Sequence, residues 1–208
     1  MSNTVDNKVR RYSGNERVNH WFTAIAFILL AMSGLAFFHP AFWPMVAVLG
    51  GGELARYLHP IIGVAMFASF LIFAIQKLGD NLFSKVDGQW LSQIGDVLSN
   101  RDERLPEIGK YNAGQKLAYW AMVLSMVALL ASGLVIWREF FSHLFTIDQI
   151  RIAVVVHALS AIVLIMTIIV HIYAAIWVKG TIGAMVSGYV SRAWAKHHHA
   201  LWYKSLNK

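Results

Sequence analysis

Four long apolar stretches, separated by polar segments, dominate the pattern of hydrophobic and polar positions along the chain. Each approaches the roughly twenty apolar residues that cross a bilayer. Because no water is available there to bond the backbone, each stretch is expected to form a helix. We predict an all-α integral membrane protein, a four-transmembrane-helix bundle with short interfacial helices, forming a single domain over residues 1–208. The predicted spans cover about 17–38, 55–76, 114–138 and 150–179, and a tail follows over 180–208.

Two of the polar segments carry a helical repeat of apolar residues. In DGQWLSQIGDVLSN, residues 87–100, the apolar positions are Trp90, Leu91, Ile94, Val97 and Leu98. After the fourth span they are Ile182, Met185, Val186, Tyr189 and Val190. Such a face is typical of a helix lying on the membrane surface. It is equally compatible with packing against a partner subunit.

The distribution of lysine and arginine predicts the orientation of the spans. Residues 1–20, 76–116 and 179–208 hold fifteen of the eighteen basic residues, and the two other loops share only Arg56, Arg138 and Arg151. Excess positive charge stays on the cytoplasmic side. We therefore expect both termini inside, in a bacterial inner (cytoplasmic) membrane. The net charge of +7 reflects topology and lipid contact, so no nucleic-acid partner is needed to explain it.

Composition narrows the possible chemistry. The chain is 57% hydrophobic and 14% charged, and it contains no cysteine. This excludes disulfides, thiolate metal sites, iron–sulfur clusters and thioether-linked haem from the chain itself. We expect the first apolar run to be a retained span and not a cleaved signal peptide.

Four of the nine histidines lie in or at the edges of the spans: His20, His59, His157 and His171. A polar ring inside a membrane is costly unless it has a partner, so such residues face the bundle interior and usually have a function. Taken singly, each could simply bond a carbonyl group of a neighbouring helix. Their arrangement favours a different interpretation.

His157 and His171 are fourteen residues apart on the fourth span. In an α-helix this spacing is about 40° short of four full turns and about 21 Å along the axis, so the two rings share one face. The fourth span begins outside, which puts His157 at the outer level and His171 at the inner level. His59 starts its span on the outer side and His20 on the inner side. Depth therefore pairs His20 with His171 and His59 with His157.

Each predicted pair draws one imidazole from each of two helices, as in the internal cofactor sites of helix bundles. Two nitrogen ligands are too few for a closed zinc site but fit the axial positions of a haem iron. We predict two b haems stacked across the bilayer, one per pair. Gly34, Gly63 and Gly133 lie near the outer pair, where they would either clear space for a macrocycle or allow ordinary close helix packing.

The other five histidines lie outside the predicted spans. His39 precedes Pro40 at a helix end and His143 lies in an outer loop, so both are expected to contact water. For residues 197–199, three consecutive histidines, we favour a solvated or partner-facing basic tail over a metal site.

The sequence resembles a known family, the cytochrome b (gamma) subunits of respiratory membrane-bound formate dehydrogenases. The resemblance covers nearly the whole chain and includes the order of the four histidines. It is carried by GKYNAGQK at 109–116, SGLVIWR at 132–138, HIYAAIWVKG at 171–180 and SRAWAKHHHALWY at 191–203. The spaced histidines alone would also suit the cytochrome b subunits of hydrogenases.

The resemblance implies roles for particular residues. His59 and His157 would ligate the outer haem iron, and His20 and His171 the inner one. The quinone pocket would use the Asn–Ala–Gly–Gln motif beside the inner haem ligand, namely Asn112, Ala113, Gly114 and Gln115. From the residues alone, Asn112–Gly114 could equally be a plain helix N-cap turn, which Asn favours.

The resemblance also implies partners. Electrons would arrive from an iron–sulfur (beta) subunit, which connects to a catalytic molybdenum or tungsten (alpha) subunit, and would leave to menaquinone or ubiquinone. We expect a higher oligomer of the whole complex, and we expect no formate oxidation by this chain alone. Two alternatives stay open. One is the cytochrome b subunit of a hydrogenase or another respiratory oxidoreductase, and the other is a small transporter or proton channel with histidine relays.

Overall fold

The computed structural model of the chain describes residues 7–99, 101 and 104–206. The α-helices are α1 (Gly14–Phe38), α2 (Gly52–Lys77), α3 (Lys85–Ser92), α4 (Ile94–Leu98), α5 (Ala113–Ile136), α6 (Ile147–Trp177), α7 (Thr181–Ser187), α8 (Arg192–His198) and α9 (Ala200–Ser205). Two short strands are β1 (Lys8–Arg10) and β2 (Tyr189–Ser191). Turns of 3₁₀ helix cover Pro40–Leu49, Gly79–Asn81 and Ser142–Leu144.

Four helices in the described part of the chain, α1, α2, α5 and α6, are long and apolar enough to cross a membrane. The prediction of a four-span helical membrane bundle is therefore confirmed.

Local sequence explains where the spans end. The residue before a proline is disfavoured in a helix, and α1 stops at Phe38, ahead of His39 and Pro40. Gly50, with φ of 83°, ends the following 3₁₀ helix before α2 begins.

The chain divides into two compact units. The helical unit consists of Val18–Ile75 and Ala121–Val170. Its core takes one buried residue from each spanning helix, Ala26, Met66, Met126 and Leu164. A second cluster joins the end of α1 and the start of α2 to the 3₁₀ helix at Pro40–Leu49 between them. The four helices therefore share one apolar interior, and their lipid-facing sides are correspondingly rich in exposed apolar residues.

The terminal unit is described over residues 7–17, 76–99, 101, 104–120 and 171–206. Strands β1 and β2 pair antiparallel in it, with Val9 opposite Val190. Gly188, with φ of 89°, makes the turn into β2, and its carbonyl accepts bonds from the amides of Arg11 and Tyr12. A Cβ at this position would lie 2.8 Å from the Tyr12 carbonyl oxygen. The turn therefore requires glycine for both conformation and space.

The strand pair and the turn correct one prediction. A continuous helical face over 182–190 is wrong, because α7 ends at Ser187 and Tyr189 and Val190 lie in a strand. Val190 is buried with Ala184 and Ala195, whereas Ile182, Val186 and Tyr189 are exposed.

The apolar face over residues 87–100 also differs from the prediction, which considered only membrane or partner contact. The helix breaks at Gln93 into α3 and α4, and Trp90 is buried against Ile108 and Ala113 of the same chain. An ion pair supports this packing, with Lys116 Nζ 2.8 Å from Asp87 Oδ2. Leu91, Ile94 and Leu98 stay exposed.

Candidate functional site

His59 of α2 and His157 of α6 face each other inside the helical unit. Their ring centroids are 6.4 Å apart and the ring planes are inclined by 58°. Both side chains are half-buried among helices whose outer surfaces are apolar. The structure therefore brings together the two residues that depth had paired at the outer level.

Each of these imidazoles is oriented by a serine on the preceding helix. Ser33 Oγ lies 2.8 Å from His59 Nδ1, and Ser132 Oγ lies 3.0 Å from His157 Nδ1. Both hydroxyls also donate to carbonyl groups one turn earlier, to Leu29 at 2.8 Å and to Ala128 at 2.6 Å. Because each hydroxyl proton is used there, each serine oxygen accepts the Nδ1–H of its histidine. The Nε2 lone pair of each ring is then available to bind a metal.

Glycines let the helix backbones approach the two rings closely. A Cβ built on Gly34 would lie 3.5 Å from His59 Cε1, and one on Gly133 would lie 3.4 Å from His157 Cε1. Both glycines directly follow the orienting serines, and the tripeptide Ser-Gly-Leu occurs at 33–35 and again at 132–134. This repeated tripeptide is a sequence signal for the serine partners that the sequence analysis missed.

The pair fits the axial ligation of a haem iron. With metal–nitrogen bonds of about 2 Å and the radius of each ring added, two axial imidazoles have their centroids about 6 Å apart. The observed separation is 6.4 Å. Metal-bound histidines almost always donate their other N–H to an acceptor, as the two rings do here to serine. Among the described residues, no group of three or more His, Asp or Glu side chains is placed to hold a metal ion. The described residues therefore offer paired imidazoles as the candidate metal ligands.

The predicted inner ligands are distributed differently. His20 lies in the first turns of α1, within the helical unit, with its ring edge-on to Trp21 at 5.4 Å. His171 lies on α6, in the part of that helix assigned to the terminal unit, and is exposed. Each is on the helix that the sequence predicted.

The predicted quinone motif forms the start of α5. The Asn112 amide N–H donates to Gln115 Oε1 at 3.0 Å, and the Gln115 amide N–H donates to Asn112 Oδ1 at 2.8 Å. This is a reciprocal capping arrangement that satisfies two backbone donors. Ala113 is buried, and a Cβ on Gly114 would lie 3.3 Å from the Trp90 ring. The cap uses the side-chain oxygens and leaves both amide NH₂ groups outside it, so the helix-cap interpretation and a ligand-binding role are compatible.

Residues 11–188 match the family of prokaryotic cytochrome b561 proteins, which is well over half of the chain. The chain belongs to the prokaryotic cytochrome b561 family. This cytochrome is therefore a bacterial membrane protein that binds haem b.

Individual relatives cover almost the whole cytochrome. It is 48% identical over 198 residues to the formate dehydrogenase cytochrome b556(fdo) subunit of Escherichia coli K12, covering 95% of this chain and 93% of the relative. It is 40% identical over 199 residues to the formate dehydrogenase cytochrome b556 subunit of Haemophilus influenzae, covering 96% and 84%. The nitrate-inducible formate dehydrogenase cytochrome b556(Fdn) subunit of E. coli K12 is 38% identical over 193 residues, covering 93% and 89%. The resemblance identified from the motifs is confirmed.

The prediction of a solvated or partner-facing tail over residues 197–199 is wrong at one position, His199. His199 is only 3% exposed, so it is not part of a solvated or partner-facing tail. Its Nδ1 lies 2.8 Å from the carbonyl oxygen of Gly109, and its ring centroid is 5.1 Å from that of Trp194. Burial, together with the nearby Arg11 charge, lowers the pKa of His199 to about 3. The ring is therefore neutral at physiological pH. His39 and His143 are exposed, as predicted.

Proposed function

We propose that this cytochrome is the dihaem membrane-anchor subunit of a formate dehydrogenase, which passes electrons from an iron–sulfur subunit through two b haems to menaquinone or ubiquinone. The relatives are formate dehydrogenase subunits, which implies a complex with catalytic subunits. With no cysteine in the chain, the clusters that feed electrons to the haems must belong to a partner.

The observation that carries the proposal is the His59–His157 pair, with each Nδ1–H donated to a serine. In this role the two serines hold both rings in the tautomer that presents Nε2 to the iron, and the surrounding apolar helices exclude water. Bound there, a haem supplies reversible one-electron transfer between ferric and ferrous iron.

The second haem and its ligands, His20 and His171, rest on the resemblance and on helix spacing. His171 is about four turns from His157 on the same face of one helix, about 21 Å further along its axis. Two haems at these levels would connect the two sides of the membrane. The basic residues near both termini favour an orientation with both ends in the cytoplasm, within the inner membrane.

The quinone site is proposed at the start of α5, with Asn112, Ala113, Gly114 and Gln115. The amide groups that the helix cap leaves outside, those of Asn112 and Gln115, can donate to a quinone oxygen. Ala113 and Gly114 keep the backbone compact beside them. In the proposed orientation this site lies toward the cytoplasm, so quinone reduction would take its protons from that side.

A haem count with matched histidine variants tests the proposal. The purified chain should contain two b haems by the pyridine haemochrome assay. His59→Ala should remove the outer haem signal from reduced-minus-oxidised spectra, whereas His143→Ala, an exposed histidine, should leave both signals intact. Both signals persisting in His59→Ala would refute the ligand pairing. A haem count other than two per chain would refute the dihaem assignment.

Isolation of the complex tests the partner. The cytochrome should co-purify with a formate-oxidising activity, and formate should reduce its haems. Co-purification with a hydrogen-splitting activity would instead assign the cytochrome to a hydrogenase.

A further inference from the structure

Three consecutive carbonyl groups of the loop before α5 are bonded by residues from the two ends of the described chain. The Ile108 carbonyl accepts from the Leu201 amide at 3.0 Å, and the Gly109 carbonyl from His199 Nδ1–H at 2.8 Å. The Lys110 carbonyl accepts from Arg11 Nη2 at 2.7 Å. We call this arrangement, made by Arg11, His199 and Leu201, the terminal clasp.

The clasp holds the backbone immediately before the proposed quinone motif. Lys110 is separated from Asn112, the capping residue of α5, by Tyr111 alone. A loop of this kind normally moves more than the helix that follows it. Fixing three successive carbonyls restricts the path by which the chain reaches Asn112. The direction in which the Asn112 amide points is therefore set in part by residues about ninety to one hundred positions away.

Both side chains of the clasp, Arg11 and His199, are buried. Arg11 is 5% exposed, and its guanidinium lies 5.0 Å and 4.9 Å from the ring centroids of Trp194 and Trp202. Among the ion pairs of the described residues, none includes Arg11, so its charge is held by aromatic faces and by a carbonyl group. His199 Nε2 lies 3.3 Å from Arg11 Nη2. A neutral His199 with its proton on Nδ1 can donate to Gly109 and accept from Arg11 at the same time.

We propose that Arg11 and His199 are positioning residues for quinone reduction, holding the loop over residues 108–110 so that Asn112 is presented to the quinone. This inference rests on the proposed function, because it concerns the quinone site assigned there. Neither residue touches the quinone or a haem in this role. The two ends of the chain thus act on electron transfer through the geometry of one loop.

Steady-state kinetics of the intact complex test the inference, with decylubiquinone and menadione as acceptors. His199→Leu removes the donor to Gly109 and should raise the KM for quinone about tenfold, the effect of one lost buried hydrogen bond, with a smaller change in kcat. Formate oxidation with an artificial dye, the haem content and the reduction of the haems by formate should not change. His197→Leu is the matched control, because it alters an exposed histidine of the same segment.

Conservative variants keep the test decisive if His199→Leu fails to assemble. His199→Asn retains a donor near the Nδ1 position, whereas His199→Gln places its amide nearer to Nε2. The asparagine variant should therefore have the lower quinone KM of the two. Equal KM values in these folded variants, or an unchanged KM in His199→Leu, would overturn the positioning role.

Asn112→Leu separates the two proposals. If Asn112→Leu raises the quinone KM and the His199 variants do not, the quinone site stands and the positioning role is rejected. If Asn112→Leu has no effect on quinone kinetics, the proposed quinone site is itself rejected, and the inference with it.

Discussion

The Ser132 hydroxyl provides a direct test of how the outer histidines are held. It is 5% exposed, accepts the Nδ1–H of His157 at 3.0 Å and donates to the Ala128 carbonyl at 2.6 Å. Ser132→Ala would remove this acceptor from the half-buried His157 N–H, at a cost of up to about 1–3 kcal/mol. Loss of an outer-shell partner typically weakens metal binding by about 10–100-fold, which is about 1.4–2.7 kcal/mol. The two ranges overlap, so we expect retention of the haem proposed at His59 and His157 to weaken by about tenfold or more.

The assay follows transfer of haem from the detergent-solubilised cytochrome to apomyoglobin, together with a redox titration of the haem absorption. In Ser132→Ala the haem proposed at His59 and His157 should leave faster and its midpoint potential should rise. An imidazole that loses an acceptor for its Nδ1–H would donate less electron density to the iron. The substitution increases helix propensity, so weakening of α5 cannot explain a loss. Ser125→Ala is the control, as Ser125 is also buried on α5 about two turns earlier. Unchanged haem retention and potential in Ser132→Ala would refute the assigned hydrogen-bond network.

Three further predictions concern packing, charge and pH. Gly133→Ala should be tolerated and Gly133→Val should displace the haem proposed beside His157, since a Cβ there would lie 3.4 Å from the His157 ring. The haem content of the two purified variants measures this difference. Asp87→Asn should destabilise the terminal unit by about 3 kcal/mol, because it leaves the Lys116 charge buried without its carboxylate partner. The double variant Asp87→Leu, Lys116→Met should recover part of this stability in chemical denaturation. Because the folded-state pKa of His199 is about 3, against 6.5 ordinarily, the unfolded chain takes up a proton first as the pH falls. The contribution of His199 to the free energy of unfolding should fall by up to about 1.4 kcal/mol per pH unit below pH 6.5, so His199→Asn should make the pH dependence of denaturation curves shallower.

The sequence predicted the spanning helices well because bilayer thickness imposes a strong physical constraint on apolar length. The pairing of His59 with His157 followed from depth alone, since helices of alternating direction bring only certain positions to one level. Ser33 and Ser132 were not predicted. A serine in a spanning helix commonly bonds a carbonyl of its own preceding turn, so its type carries little information about a second partner. The repeated Ser-Gly-Leu would have been the signal.

The terminal unit was harder to predict because its contacts are non-local. The bonds from His199 to Gly109 and from Arg11 to Lys110 join residues separated by 90 and 99 positions, and β1 pairs with β2 over a still longer separation. Three-residue strands leave no periodic pattern in the sequence. The helical repeat after the fourth span indicated an amphipathic helix. Gly188 ends that helix, however, and the apolar residues after it, Tyr189 and Val190, lie in a strand.

The serine–glycine pairs give the outer site an internal symmetry. In both the α1–α2 hairpin and the α5–α6 hairpin, the first helix supplies the serine and the glycine, and the second helix supplies the histidine. His59 follows Ser33 by 26 residues, and His157 follows Ser132 by 25 residues. The proposed haem site is thus built from the same half-site twice, and His59 and His157 would offer the iron two chemically equivalent nitrogen donors. Equivalent donors would favour neither side, so a haem held there would gain and lose an electron with little change in its ligation. This is the property that a relay requires.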